Sequence, residues 1–266
     1  MLSHHLRVGV IRGGLSDYEA SLQSGADILS SLREHHGDTY HPHDIFIDRE
    51  GQWHMQGRAV RPEQALSMID VAFNALQGTY GEDGKVQHLL EMHGIPFTGT
   101  GALGSAVGTH KILKKGVLSS HGIAVPRHLE IRAEDIQGDS SKVAQDLFRS
   151  WHLPLVLKPL RDTSAHKMSY IRSYGELPEA LLAVSQHGDV LVEEYIPGIE
   201  AIGHVVEGFR GHELYALPAV EIHITPTGEQ REVVPAGFSP ELKKQVEETS
   251  RLVHQLLGLK HYSQTR

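Results

Sequence analysis

Cysteine is absent from the 266 residues, which excludes disulfides, thiolate nucleophiles and cysteine-ligated zinc. No apolar run approaches the roughly 20 residues needed to cross a bilayer; stretches such as Leu153 to Leu157 are far shorter. The opening "MLSHHLRVGVIRGG" has neither the apolar core nor the small-residue cleavage site of a secretory signal, so a cytoplasmic location without a membrane partner is expected. Basic charge is also scarce, with 25 Lys and Arg against 33 Asp and Glu and a formal net charge of -8. A protein that neutralises a phosphate backbone needs the opposite balance, so no nucleic-acid partner is expected. There is no GxxxxGK[ST] phosphate loop, no HExxH zinc motif, no internal repeat and no low-complexity linker.

Histidine, by contrast, is abundant at 20 residues, so the net charge shifts strongly toward positive below neutrality. His4-His5, His35-His36 and the "HPH" at 41 to 43 could chelate a cation, but none has the spacing of a zinc enzyme. They are expected to be solvated surface groups, and no metal site is assigned.

Strand-like and helix-like periods alternate along the chain, the pattern of an α/β protein. "RVGVI" is a short apolar strand ending at Gly13-Gly14, and from Glu19 the residues Leu22, Ala26, Leu29 and Leu32 follow at helical spacing. "DIFIDREGQWHM" predicts a hairpin about Glu50-Gly51, "MIDVAFNAL" a buried strand, and "KVQHLLEMHG" a helix. Past Gly101 come helices over Leu103 to Thr109, Ile112 to His121 and Ser141 to Trp151, the strands "HLEI", "LPLVLKP" and "MSYI", and the helix "LPEALLAVSQH". A third segment runs from "VLVEEYI" through "EAIGHVVEG" and "ELYALPAVEIHI" to the helix "PELKKQVEETSRLVHQLLG".

Two glycine loops bear on ligands. "GTGALG" at 99 to 104 has the letters of GxGxxG but follows the wrong strand, and no carboxylate lies near Ala124 to hold a ribose, so a dinucleotide is not expected. "NALQGTYGEDG" at 74 to 84 closes a buried strand, the place where open α/β sheets put ligands. Taken alone it reads as a turn in which Glu82 or Asp83 caps the next helix.

The segments "VIRGGLSDYEASLQSG", "NALQGTYGEDGKVQHLLEMHGIPFTGTG", "THKILKK", "LPLVLKP", "VLVEEYIPGIE", "VVPAGFSPE" and "LGLKHYSQTR" together resemble, in order, the D-alanine-D-alanine ligases of the ATP-grasp superfamily. The resemblance implies a pre-ATP-grasp parallel-sheet domain (1–101), an ATP-grasp central lobe (102–190) and an incomplete C-terminal lobe (191–266). It implies ATP as cofactor, D-alanine as substrate, an acyl-phosphate route to the dipeptide of peptidoglycan, and a homodimer. Lys111 and Lys158 fall at the family's phosphate-contacting lysines. Glu193 falls where adenine's amine is accepted, Tyr195 and Ile196 where the ring edge is met, and Glu200 where ribose is held. Glu19 matches the carboxylate of the first D-alanine site, and Ser164 a serine of the phosphate-side loop.

This chain also departs from that pattern. Gln77 stands where the family has histidine, "RDTSAHK" replaces a loop of small residues, and a lid loop with a Lys-Tyr pair is missing between "VEIHITPTG" and "EQREVVPAG". Gln264 and Arg266 occupy the positions of the transition-state arginine and a Mg²⁺-binding aspartate. Mg²⁺, expected for the family, requires hard anionic oxygens, which a guanidinium does not supply. Two functions are therefore carried forward: a ligase homologue with little or no turnover, and a non-catalytic nucleotide-binding or interaction module. The sequence leaves open whether the chain is a fragment or a protein that has abandoned the chemistry.

Overall fold

The structure is a computed structural model that describes residues 5–160, 168–224 and 230–266. The chain opens with β1 (Leu6–Gly13), whose Val8, Val10 and Ile11 are buried, followed by α1 (Tyr18–His36). Gly13 has a φ of +90°, and a Cβ there would run into the Ile47 carbonyl, so this turn requires glycine. Next come β2 (Tyr40–Ile47), β3 (Trp53–Met55), β4 (Arg58–Val60), α2 (Pro62–Leu66) and β5 (Val71–Asn74). The sheet order is β4-β3-β2-β1-β5, with β1 parallel to β2 and β5. The expected hairpin is present, Ile47 pairing with Trp53. Three helices follow: α3 (Thr79–Glu82), α4 (Lys85–Met92) and α5 (Ala102–Thr109).

The middle of the chain contains α6 (Lys111–Ser120), β6 (His128–Ile131), α7 (Ala133–Gly138), α8 (Ser140–Ser150), β7 (Leu155–Pro159), β8 (Ser169–Ile171), α9 (Leu177–Ser185) and β9 (Val190–Glu194). Its four strands form an antiparallel sheet in the order β6-β9-β7-β8. One face carries Leu155, Leu157, Val190 and Val192, packed on Leu147 and Trp151 of the α8 segment and on Leu177, Leu181 and Val184 of α9. The spacings of 4 and 3 within α9 put its three apolar residues on one stripe.

The last third holds β10 (Glu200–Glu207), β11 (Leu214–Ala216), β12 (Val220–Ile224), β13 (Gln230–Val233), α10 (Pro240–Leu256) and β14 (Tyr262–Thr265). The stretch "ELYALPAVEIHI" is divided between β11 and β12 around Pro218, which has no N–H to donate to a ladder. The chain forms two compact units. The first contains 1–109, 203–219 and 240–265; the second contains 110–202, 220–239 and residue 266. β10 passes from one to the other: Glu200 to Ile202 pair with β12 in the second unit, and Gly203 to Glu207 pair with β11 and β14 in the first.

Within the first unit, His254 on α10 is 1% exposed. Its Nδ1 lies 2.8 Å from Ser263 Oγ and its Nε2 lies 3.4 Å from Glu207 Oε1. Burial lowers its pKa from the ordinary 6.5, and Lys260 adds to that, while the bond to Glu207 opposes it. His43 is likewise lowered, first by burial and then by His41 and Arg7. Both rings are thus harder to protonate in the folded chain. Below the unfolded value the unfolded state binds more protons, so stability is complete above it and is lost as pH falls toward the folded values. Urea midpoints should drop as pH falls below the ordinary histidine value of 6.5, and His254→Gln should flatten that slope. An unchanged slope in the variant would remove His254 from the account.

Candidate functional site

The strand register of the second unit creates the site. Val156 pairs with Glu193 and Lys158 with Leu191, so Lys158 and Glu193 lie diagonally on the same sheet face, opposite the α8/α9 core. Glu193 is 3% exposed, and its Oε2 forms an ion pair with the Lys158 ammonium. Its Oε1 lies 2.6 Å from Lys115 Nζ of α6, out of line for a directed hydrogen bond. Burial alone pushes the Glu193 carboxyl upward, but Lys158 and Lys115 outweigh it and hold the group below its ordinary value.

Lys111 opens α6, and its Nζ donates to the Pro159 carbonyl at 2.9 Å and lies 3.5 Å from that of Leu160. Lys111 thus reaches the main chain at the end of β7, one residue after Lys158. Lys114 and Lys115 follow Lys111 by three and four residues, on the same helical face. Lys114 is half-buried, and its pKa is lowered by burial first, then by Lys115 and Lys158, with Glu193 partly opposing.

Tyr195 and Ile196, expected at the edge of the base, lie just beyond β9. Tyr195 and Ile196 are 41% and 58% exposed, and the Tyr195 N–H donates to Pro154 O at 3.2 Å. Glu200, at the start of β10, is held by Arg266: Nε donates to its Oε2 at 2.8 Å, and a second guanidinium nitrogen meets the same oxygen. The residue expected at the Mg²⁺ position therefore sits on the carboxylate expected to hold ribose. Among the described residues no group of three or more His, Asp, Glu or Cys side chains could hold a metal ion. The donor set does not fit Mg²⁺.

Glu19 lies in the first unit, with its side chain 79% exposed and paired to Arg49 at 2.8 Å. A separate cavity of about 790 Å³ in that unit is lined by Asn74, Gln77, Glu82, Gln87, His204 and Gln264 among others. Gln77 donates to Ser24 Oγ at 2.8 Å. The GEDG turn is closed by its own acids: Glu82 accepts from the Gly78 N–H at 3.0 Å and Asp83 from that of Lys85 at 3.0 Å. Ser164, the altered loop around it and the site of the shortened lid lie outside the described residues.

Lys111, Lys158 and Glu193 are thus brought to one place, with Glu200 elsewhere in the same unit and Glu19 in the other. Sequence reasoning missed Lys114 and Lys115. The usable signal was their spacing from Lys111 on one helical face.

Two family descriptions match the chain: "D-ala D-ala ligase N-terminus" over residues 57–100 and "D-ala D-ala ligase C-terminus" over residues 117–265. A D-alanine--D-alanine ligase of Syntrophobacter fumaroxidans is 34% identical, covering 100% of this chain and 84% of that protein. One of Geobacter sulfurreducens is 31% identical, covering 97% of this chain and 77% of that protein. Among solved structures, the VanG D-Ala:D-Ser ligase from Enterococcus faecalis superimposes with a TM-score of 0.84 at 24% identity, covering 98% of this chain and 85% of the other. At that identity the likeness carries the fold alone.

Proposed function

Because the chain belongs to the D-alanine-D-alanine ligase family of the ATP-grasp superfamily, we propose that it binds the phosphates of ATP at the lysine-bearing face of its second unit, with little or no ligase turnover. One observation supports this reading: Lys111 reaches the main chain of β7 one residue after Lys158, while Arg266, which the resemblance puts at the Mg²⁺ position, pairs with Glu200. Ammonium groups so placed suit nucleotide oxygens.

In this reading Lys111 and Lys158 contact the phosphates, and Glu193 orients Lys158. The backbone at Tyr195 and Ile196 borders the base. Glu200 reaches a ribose only when it exchanges Arg266 for the hydroxyls. ATP, when bound, supplies a transferable phosphoryl group; the acceptor in the family is the carboxylate of one D-alanine. Glu19 and Ser164 are the side chains assigned to that amino acid and to the phosphate-side loop. A positive charge where a dication needs a carboxylate argues against efficient acyl-phosphate formation.

The test is phosphate release by the full chain with ATP, Mg²⁺ and D-alanine, alongside calorimetric binding of ATP. Binding with turnover near background is expected. Robust turnover abolished by Lys158→Ala would make the chain a working ligase. Absence of nucleotide binding would leave an interaction module built on the inherited fold.

A further inference from the structure

We propose that Lys114 is a third phosphate-contacting side chain, and that the lysine cluster around Glu193 takes the phosphate chain of a nucleotide as the free anion, without a divalent cation. The inference rests on the nucleotide reading and extends it to the ionic form of the ligand.

The three other ammonium groups of the cluster are engaged. Lys111 donates to main-chain carbonyls, and Lys115 and Lys158 divide the two oxygens of one carboxylate. Lys114 lies on the same face of α6 and is half-buried, and its ammonium has no hydrogen bond or ion pair among the described residues. A partly desolvated ammonium next to other ammonium groups is unfavourable until an anion joins it. The depressed Lys114 pKa has the same origin in burial and in its two lysine neighbours.

The cluster therefore contains an excess of positive charge over its single carboxylate, and Lys114 is the member not yet committed. A triphosphate brings up to four negative charges, which the lysines can neutralise directly. The position that the resemblance gives to a Mg²⁺-binding carboxylate holds Arg266, whose guanidinium neutralises Glu200, so the pair carries no net negative charge to hold a dication against the phosphates. Mg²⁺ then acts only on the ligand: it removes two negative charges from ATP and weakens its attraction to the cluster.

The experiment is calorimetric titration of the full chain with ATP in EDTA and again in excess Mg²⁺, with inorganic tripolyphosphate as a second probe. Lys114→Met and Lys114→Arg are compared with the parent after their melting curves are recorded. ATP in EDTA should bind about tenfold or more tighter than in Mg²⁺. Lys114→Met should lose about tenfold in EDTA and most of the discrimination between the two conditions, while Lys114→Arg retains both. Tighter binding in Mg²⁺, or a Lys114→Met protein that binds as the parent does, would overturn the proposal while leaving nucleotide binding in place. Tripolyphosphate binding that depends on Lys114, without any added affinity for ATP, would support the cluster as an anion site and count against the nucleotide reading. Binding of neither probe would end both.

Discussion

Alanine at Glu193 is expected to lower the unfolding free energy by about 3–5 kcal/mol, the usual consequence of removing one partner from a buried ion pair. The carboxylate is 3% exposed and stands between Lys115 and Lys158, whose side chains are 13% and 24% exposed. Without it, two ammonium groups under α6 face each other in a poorly solvated space. The size of the loss therefore comes mainly from the charges left behind. Urea unfolding of the variant checks it, and Glu193→Leu combined with Lys115→Met should recover a large part by removing an orphaned charge. A loss under about 1 kcal/mol would mean that the cluster behaves like a solvated surface pair.

Lys158→Met should weaken ATP binding by about 10- to 150-fold, corresponding to the roughly 1.5–3 kcal/mol carried by a charged hydrogen bond. Two losses combine in this variant. The phosphate loses a cation, and Glu193, left with only Lys115, repels the incoming anion more strongly. The variant should remain folded, because Lys115 still contacts the carboxylate. Calorimetry with ATP separates affinity from folding when a melting curve is taken beside it. An unchanged dissociation constant would place the nucleotide away from β7.

Lys158 also shows where sequence reasoning reached its limit. A lysine at the end of "LPLVLKP" is legible as a charge in need of a partner, because an apolar strand carries it toward the interior. The partner's identity depends on antiparallel register, Val156 opposite Glu193, and register is set by packing over the whole sheet. Lys114 and Lys115 sit in a basic run that reads as solvated helix, and only the sheet beneath them reveals what they face. Arg266 and Glu200 are 66 positions apart, and nothing local announces their pairing.

Among the elements, β1, α1 and the β2–β3 hairpin were legible because their apolar periods are strong. Helix α2 was passed over although Pro62 stands at its start, a usual helix-opening signal, because five residues are too few to establish a period. Helix α7 and strand β13 were missed for the same reason of length. The pairing of 203–219 and 240–265 with residues 1–109 in one compact unit is long-range information that no local window contains.

That interleaving has a consequence for synthesis. A ribosome that has produced the first 109 residues has not yet made α10 or β14, so the earliest part of the chain must wait for the latest to complete its packing. Meanwhile the face of β10 and β11 that α10 will cover remains available to chaperones or to other nascent chains. Arrested-chain lengths ending before residue 240 should accordingly be far more sensitive to protease than the finished polypeptide.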